Sequence, residues 1–401
     1  MSGLYLYDDL VARTFEPFAL TRPTSELRTG VELIRARWES ALRARAAGSI
    51  VATHLGEFEE LDAPPAVSTT IPAGSIVANS RCVVPLEWIS QEADIWTCHG
   101  RVAAVRLRVQ LDVEELDGGE APLESLEAAG NRNVGIEGRW LTEVWSIVTD
   151  LAAQLQDDIS RLAPALDCIS AAHVTVLGNN PVYIERGANV EPLVVIDATS
   201  GPVLVRAGAT VRAFTRLVGP LAIGKNASVL GDRVAGCSIG EMCVVRGEIA
   251  DSVILGHSNK AHDGFVGHSY LGRWVNLGAG TTTSNMKNTY GSVALWTPSG
   301  IRDSGAVRLG SFFGDHVKTG IGLRLTTGSV VGAGSNIYGS AMPPKYVPPF
   351  SWGEGEELGA YDIEKFLLTA ERAMTRRQVG LGRRGRRQLV AACAKSRRSA
   401  L

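Results

Sequence analysis

The chain has 401 residues, of which 45% are hydrophobic and 20% are charged, with a formal net charge of -2 at pH 7. This length predicts two domains, and the composition is typical of soluble globular proteins. The small net charge gives no electrostatic case for nucleic acid, and no apolar run approaches the roughly 20 residues of a membrane span. Asp8 and Asp9 stand where a signal peptide would have basic and apolar regions. We therefore expect a cytoplasmic protein with neither nucleic-acid nor membrane partners.

The N-terminal region, residues 1–165, alternates apolar and helical segments, which predicts an α/β domain. The first predicted strand, residues 3–8, ends in two carboxylates. An Arg-rich helix is predicted at 31–47, and helical spacing over 141–162 predicts a linking helix. Further strands are predicted at 49–54, 75–78 and 103–107.

An aliphatic residue falls on every sixth position in the next region: Val205, Val211, Leu217, Ile223 and Val229. A period of six fits neither an α-helix nor an ordinary strand, whose side-chain periods are 3.6 and 2. It is typical of a parallel β-helix built from hexapeptide units, with Gly or Asn at the corners. We predict this domain over residues 166–345. An all-β sandwich with chance spacing is the alternative.

The pattern recurs less strictly elsewhere in the same domain. The positions are Val190, Ile196, Leu271, Leu277, Leu325, Val331 and Ile337. A coil that cannot bury its apolar face alone requires such recurrence.

The C-terminal region, residues 346–401, opens with a proline-rich segment that cannot be helical. An amphipathic helix is predicted at 359–379. Six arginines lie in the last twenty or so residues, and this tail is expected to be disordered and solvated, with nonspecific anion contact as the alternative.

One segment of the predicted β-helix, residues 256–285, is rich in His, Asn, Lys and Thr, where the coil needs only small and aliphatic side chains. Polar clusters in a scaffold that does not need them usually belong to a site. Histidine is the natural general base at neutral pH.

This segment resembles the acetyltransferase centre of the bifunctional N-acetylglucosamine-1-phosphate uridylyltransferase/glucosamine-1-phosphate N-acetyltransferase family. The family has a His fourteen residues before the Asn of an N-[IL]-G-A-G-T-x-T motif, and here these are His262 and the Asn276 of NLGAGTTT. The resemblance implies a left-handed coil, a homotrimer, and acetyl-CoA as co-substrate.

The resemblance also implies residue roles. His262 would take a proton from the substrate amine as it attacks the thioester, Asn276 and Asn285 would contact the sugar, and Gly278 and Ala279 would lie along the acetyl-CoA groove. A family Tyr is Phe265 here and a family Lys falls near Ala250. Arg246 is the candidate for the missing substrate-binding charge.

The N-terminus is similar to a variant of this enzyme in which a short nucleotidyltransferase-like domain precedes the β-helix. The matching residues are Asp8, Asp9, Thr21, Arg22, Pro23, Leu27, Arg28, Gly30 and Trp38. The resemblance implies an NTP and a sugar phosphate as substrates. The ordinary nucleotidyltransferase signature, a Gly-rich loop ending in Arg with a downstream Lys, is absent from residues 1–60.

Nucleotidyl transfer needs cations on the triphosphate and carboxylates for Mg²⁺. Arg22 and Arg28 are the candidate nucleotide-binding residues, and Asp8 and Asp9 the candidate Mg²⁺ ligands. The alternative is that both arginines pair with Glu26, Glu32 or Asp8 and only fix the loop.

Two other functions remain open. Gamma-class carbonic anhydrases also use a trimeric β-helix and bind zinc through histidines, two of them five residues apart, the spacing of His257 and His262; His268 gives a third histidine nearby. A non-catalytic trimeric scaffold with a degenerate N-terminal domain is the other alternative. The preferred interpretation is UDP-N-acetylglucosamine synthesis by acetyl transfer and nucleotidyl transfer.

Overall fold

The protein is described here by a computed structural model, which covers residues 3–398 apart from residues 90, 117, 171 and 173. The chain forms two compact units. Residues up to 27, 32–144 and from 381 onward make the first, and residues 28–31 with 145–380 make the second. The domain bounds drawn from the sequence stay a prediction, and the linking helix belongs to the second unit.

The first unit is built on a six-stranded mixed sheet. Its strands are β1 Leu4–Tyr7, β2 Ala46–Ile50, β3 Ile76–Asn79, β4 Ile95–Cys98, β5 Arg101–Arg106 and β6 Asn133–Gly135. Their spatial order is β6-β4-β5-β3-β1-β2, and β1 pairs in parallel with both β2 and β3. All four β1 residues are buried, as expected for a strand inside a sheet. The carboxyl ends of β1 and β3 therefore meet at one edge, where Asp8 and Asp9 follow β1.

The α-helices of the described residues are α1 Ile34–Leu42, α2 Ser146–Thr149, α3 Leu151–Leu162, α4 Ile363–Thr375 and α5 Arg383–Arg398. Short 3₁₀ helices are Ala12–Thr14, Thr24–Glu26, Thr53–Leu55, Val113–Leu116, Leu123–Ser125 and Ala163–Ala165. Short strands outside the main sheets are Arg28–Thr29, Glu32–Leu33, Thr70–Ile71, Cys82–Val83, Leu111–Asp112, Arg139–Trp140, Thr282–Thr283 and Arg324–Leu325. Within the covered ranges, none of the helices combines the length and apolar character that a membrane crossing requires.

The basic C-terminal segment is a helix, so the prediction of a disordered tail is wrong. Helix α5 buries Leu389, Ala392 and Cys393, which lie on one face at helical spacing. Arg384 and Arg387 pair with Glu57 at 3.1 and 3.0 Å. These ion pairs are partly exposed and contribute little, so the apolar stripe is what holds the helix. The high arginine content obscured that stripe in the sequence.

The second unit contains a parallel β-helix with three faces. The first face has strands Cys168–Ile169, Val182–Glu185, Val203–Val205, Leu221–Ile223, Ser238–Ile239, Val253–Ile254, Tyr270–Leu271, Phe312–Phe313, Val330–Val331 and Tyr346–Val347. The second has Thr175–Leu177, Val195–Asp197, Thr215–Val218, Asp232–Ala235, Glu248–Ala250 and Phe265–Gly267. The third has Asn189–Val190, Thr210–Val211, Ser228–Val229, Val244–Val245 and Asn259–Lys260. Apart from the antiparallel first pair, neighbouring strands on each face run parallel.

The five side chains of the six-residue repeat are fully buried in one core cluster, as predicted. The weaker repeat positions from Val190 to Ile337 lie in the same cluster. Val203 pairs with Leu221, eighteen residues later, which is three hexapeptides. Ala222 pairs with Ser238, sixteen residues on, and Ser238 with Val253, fifteen residues on, so the next coils are shorter and the strict period ends. The prediction of an α/β domain followed by a β-helix is confirmed, and the left hand of the coil rests on the resemblance.

Tyr270 and Phe312 are neighbours on the first face, so a long segment separates these two strands. Its first part still follows the coil, since Asn276 bridges Asn259 and Thr282–Thr283 pairs with Arg324–Leu325. A later part forms an antiparallel hairpin of Ala294–Thr297 and Gly300–Asp303. The β-helix closes with strands Lys318–Thr319, Asn336–Tyr338, Ser351–Glu354 and Glu357–Ala360. Helix α4 follows, and the Asp362 side chain accepts from the Lys365 backbone N–H at its start. This is the predicted amphipathic helix.

Core truncation should reveal how much the β-helix depends on its inward side chains. We expect Ile223→Ala to lower the free energy of unfolding by about 2–5 kcal/mol, because Ile223 is fully buried. Ile321 is 81% exposed in the same unit, so Ile321→Ala should change stability by about 0.5 kcal/mol or less. Urea unfolding of both variants measures the difference. Equal effects would contradict the inward orientation of the repeat.

Candidate functional site

His262 lies on an exposed corner of the β-helix, two residues after a strand. The corner is fixed from inside by the buried Lys260. Its ammonium group donates to the backbone oxygens of His262 at 2.5 Å and Asp263 at 2.7 Å. Burial lowers the pKa of Lys260 to about 8. The backbone of the corner is thus held while the imidazole faces solvent, where a substrate amine can reach it.

The NLGAGTTT turn lies on the next coil, above this corner. The backbone N–H of Gly280 donates to the Asp263 oxygen at 3.2 Å, and Gly278 N–H donates to Thr319 Oγ1 at 2.9 Å. Asn276 stacks instead above Asn259, whose Nδ2 donates to Asn276 Oδ1 at 2.9 Å. Gly278 and Ala279 are therefore near the His262 corner, and Asn276 lies farther along the face.

The other predicted substrate residues have separate partners. Asn285 Nδ2 donates to His268 Nδ1 at 2.9 Å, and His268 Nε2 lies 3.6 Å from the Asp251 carboxylate. Arg246 pairs with Asp232 at 3.2 Å, with both side chains about half exposed. In the structure as described, the His262 side chain makes no hydrogen bond to Asn276, Asn285 or Arg246.

The three closely spaced histidines do not converge. His257 Nδ1 lies 3.0 Å from the Arg273 guanidinium, and its ring packs on Trp274 with centroids 4.6 Å apart. His268 contacts Asn285, and His262 faces solvent. In the part of the chain that is described, no three His, Cys, Asp or Glu side chains are grouped to hold a metal. This arrangement does not favour the zinc alternative.

Arg28 is held in the second unit by a carboxylate that the sequence did not single out. Its guanidinium lies 2.6 Å from Glu241, and Arg273 lies 2.7 Å from the other oxygen of the same carboxylate. Burial alone would raise the pKa of Glu241, but Arg28 and Arg273 lower it to about 2. Arg28 also donates to the Leu255 backbone oxygen at 3.1 Å. These contacts favour a structural role for Arg28, in which it joins the Glu241 carboxylate to the backbone of the β-helix.

Arg22 lies in the first unit and is 1% exposed. Its guanidinium pairs with Glu60 at 2.9 Å and lies 5.9 Å from the Phe58 ring centroid. The two arginines thus belong to different units, each on a carboxylate. The alternative that they fix their surroundings is the better supported, although the partners are not the acids named from the sequence.

The carboxylates proposed for Mg²⁺ do not fit that role in this arrangement. Arg81 donates to both Asp9 oxygens at 2.7 and 2.6 Å, and Asn79 adds a bond at 2.9 Å. Burial would raise the Asp9 pKa, but Arg81 and Asn79 lower it below its usual range. Asp8 is buried, and its Oδ2 accepts from the Thr24 backbone N–H at 3.0 Å. The Asp9 oxygens are therefore occupied by protein donors rather than open to Mg²⁺.

A cavity of about 190 Å³ lies at this edge of the sheet, lined by Tyr7, Asp9, Asn79, Arg81 and Arg101 among others. The Arg101 guanidinium lies 4.2 Å from the Trp140 ring centroid and 3.3 Å from Asp9. The carboxyl ends of parallel strands are where open α/β sheets bind ligands. The sequence analysis missed Arg81 and Arg101, although Arg81 lies only two residues after β3.

Asp8 should make the first unit more stable at lower pH. Burial raises the Asp8 pKa from 3.8 to about 6, so this contribution is complete below pH 3.8 and lost as the pH rises through 6. Asn mimics the protonated form, so the stability of Asp8→Asn relative to wild type should rise by about 3 kcal/mol from pH 4 to pH 8. Urea unfolding across this range measures it, with the exposed Asp112→Asn as control. A difference independent of pH would contradict this account.

Comparison with known proteins agrees with the two-part organisation. A family model described as sugar nucleotidyl transferase matches residues 4–165. The bifunctional sugar-1-phosphate nucleotidylyltransferase/acetyltransferase of Sulfurisphaera tokodaii is 36% identical over 95 residues, which are 24% of this chain and 24% of that protein. The bifunctional protein GlmU of Methanococcus vannielii is 32% identical over 129 residues, 32% of this chain and 29% of that protein.

These matches span less than a third of the length of either relative. Among solved structures, UDP-N-acetylglucosamine acyltransferase of Arabidopsis covers 52% of this chain and 80% of its own, at 14% identity and a TM-score of 0.26. A likeness of that size identifies neither fold nor substrate. The resemblance found in the sequence is confirmed by the family model and the relatives: this chain is similar to bifunctional sugar nucleotidylyltransferase/acetyltransferases, with a sugar nucleotidyl transferase match at residues 4–165.

Proposed function

We propose that the β-helix transfers an acetyl group from acetyl-CoA to the amine of an amino-sugar phosphate. The observation that carries this is the exposed His262 on a corner fixed by Lys260, beneath the NLGAGTTT turn. His262 takes the amine proton while the nitrogen attacks the thioester carbonyl, and CoA leaves as the thiol. A positioned base contributes about 10²–10⁴-fold in such reactions.

The remaining residues of the resemblance take supporting roles in this proposal. Gly278 and Ala279 lie along the acetyl-CoA, and Asn276 and Asn285 contact the sugar. The Asn285 amide nitrogen donates to His268, so in this proposal the same amide group contacts both His268 and the sugar. We also propose that the protein forms a homotrimer, because in the family that the chain resembles the active sites lie between neighbouring subunits. Light scattering at micromolar concentration tests this, and a monomer would count against it.

We propose that the first unit transfers a nucleotidyl group from an NTP to a sugar 1-phosphate and releases pyrophosphate. Support comes from the family match over residues 4–165 and from the cavity beside Arg81 and Arg101. Both arginines lie against Asp9, but Arg101 is 44% exposed and adjoins the cavity, so it can contact phosphate, whereas Arg81 is buried. Together the two steps yield a nucleotide sugar such as UDP-N-acetylglucosamine.

A substrate panel tests both halves with the full-length protein. Glucosamine 1-phosphate and other amino-sugar phosphates are offered with acetyl-CoA, and thiol release is followed. N-acetylglucosamine 1-phosphate and other sugar 1-phosphates are offered with UTP or dTTP in a buffer containing Mg²⁺, and pyrophosphate release is followed. Thiol release without pyrophosphate would leave only the acyltransferase half. If neither thiol nor pyrophosphate were released, the non-catalytic trimeric scaffold would be favoured.

A further inference from the structure

The second unit holds a cleft of about 560 Å³ that includes Asn276 and whose cationic side chains the resemblance does not assign. One wall is a column of three side chains on successive coils, Asn259, Asn276 and Lys318, which the parallel register places one above the other. Helix α4 and the residues after it supply Arg372, Arg376 and Arg377 to its lining. The cleft also reaches Ala261, next to His262.

The charge of this cleft has one sign. In the part of the chain that the structure describes, its lining includes a lysine and three arginines and no carboxylate. Elsewhere on the same unit arginines are matched: Arg206 pairs with Glu185, and Arg216 with Asp197. Within the covered ranges, no ion pair is made by Arg372, Arg376 or Arg377. Unmatched cations that converge on a concave surface attract anions.

Lys318 supports an anion-binding role for the cleft, because burial removes much of the water around its ammonium group. Its ammonium group donates to the Trp274 backbone oxygen at 2.5 Å, and burial lowers its pKa to about 7. Lys318 is half-buried, and a bound anion would stabilise its ammonium form. Asn259 engages the Asn276 oxygen, which leaves the Asn276 amide hydrogens as further donors.

We propose that this cleft binds the phosphate oxygens of a ligand of the acetyl transfer. Arg372 and Arg376 are the principal cations, and Lys318 and Asn276 contribute from the opposite wall, the column described above. The proposal rests on the proposed function for the identity of the ligand. Two sources carry this chemistry, the amino-sugar phosphate and the phosphates of CoA. Arginine suits this role because its planar fork binds phosphate oxygens in pairs.

Isothermal titration tests the cleft directly, with glucosamine 1-phosphate, CoA and inorganic pyrophosphate titrated separately. We expect the double variant Arg372→Gln, Arg376→Gln to weaken binding of at least one phosphorylated probe by about 100-fold, since each charge-assisted contact is worth roughly tenfold. Lys365→Gln, on the same helix but outside the cleft lining, should change binding less than about twofold. Both arginines are exposed, so melting temperatures should stay near wild type.

The probes identify the source. Loss confined to glucosamine 1-phosphate places the sugar phosphate in the cleft, and loss confined to CoA places CoA there. Binding of all probes that is equal in wild type and double variant overturns the proposal, as does an absence of binding by wild type.

Acetyl transfer separates this proposal from the function beneath it. Thiol release by wild type that the double variant retains in full would overturn the cleft and leave the acetyltransferase standing. Arginine-dependent phosphate binding by a wild type that releases no thiol with any acceptor would leave the cleft and remove the acetyltransferase. Lys318→Met removes the ammonium group of the column and should weaken binding of the same phosphorylated probe that the double variant binds poorly.

Discussion

Replacing His262 by alanine is expected to reduce the kcat of acetyl transfer by about 10²–10⁴-fold. The proposed reaction needs a group that takes the proton from the attacking amine, and His262 is the exposed imidazole on the corner below the NLGAGTTT turn. Among the described residues, the His262 side chain makes no hydrogen bond to the core, and Lys260 holds the corner through backbone oxygens that the substitution keeps. Stability should therefore be nearly unchanged.

Steady-state kinetics with acetyl-CoA and the best amino-sugar phosphate measure the effect, and thermal unfolding checks the fold. His99→Asn is the matched control, because His99 is an exposed histidine of the other unit. Its acetyl transfer should equal that of wild type. Unchanged turnover in His262→Ala would mean that the base lies elsewhere or that the reaction is a different one.

Arg28→Ala is expected to lower the free energy of unfolding by about 3–5 kcal/mol, the range for breaking a buried ion pair from one side. The Arg28 guanidinium lies 2.6 Å from Glu241 and also bonds to the Leu255 backbone oxygen. Truncation leaves that backbone oxygen without this donor and leaves the Glu241 carboxylate to Arg273 at 2.7 Å and the His257 ring at 4.0 Å. Arg212→Ala removes a half-exposed pair with Glu191 in the same unit and should cost about 1 kcal/mol or less.

The opposite result would revive the nucleotide-clamp interpretation. If Arg28→Ala abolished pyrophosphate release while the melting temperature stayed at the wild-type value, Arg28 would act on the triphosphate. Arg22→Ala provides the same comparison in the first unit, where Arg22 is bonded to Glu60. Parallel loss of stability and of both activities supports the structural role.

The β-helix could be predicted from sequence because each coil obeys a local rule. Val205 to Val229 repeat every six residues, and every one of the five side chains is buried. Once coils shorten, as between Ala222 and Ser238, the register is set by stacking on the previous coil rather than by a fixed period. The hairpin between Tyr270 and Phe312 follows no repeat and was not anticipated.

The site was only partly predictable because its parts are distant in sequence. The spacing of His262 and Asn276 is local, so a motif could reveal it. Arg28 and Glu241 are 213 residues apart, and no pattern within either segment links them. The arginines of helix α4 likewise join Asn276 and Lys318 only after the coil has formed.

The pairing of helix α5 with the N-terminal unit sets an order of events during synthesis. Residues 53–55, which α5 contacts, leave the ribosome some 330 residues before Arg383 does. At about 5–20 residues per second, that interval is roughly 15–70 s. Throughout this time the surface that later covers Leu389 and Cys393 is open to water or to chaperones. The β-helix therefore has its whole length available to coil before the first unit can receive its last helix.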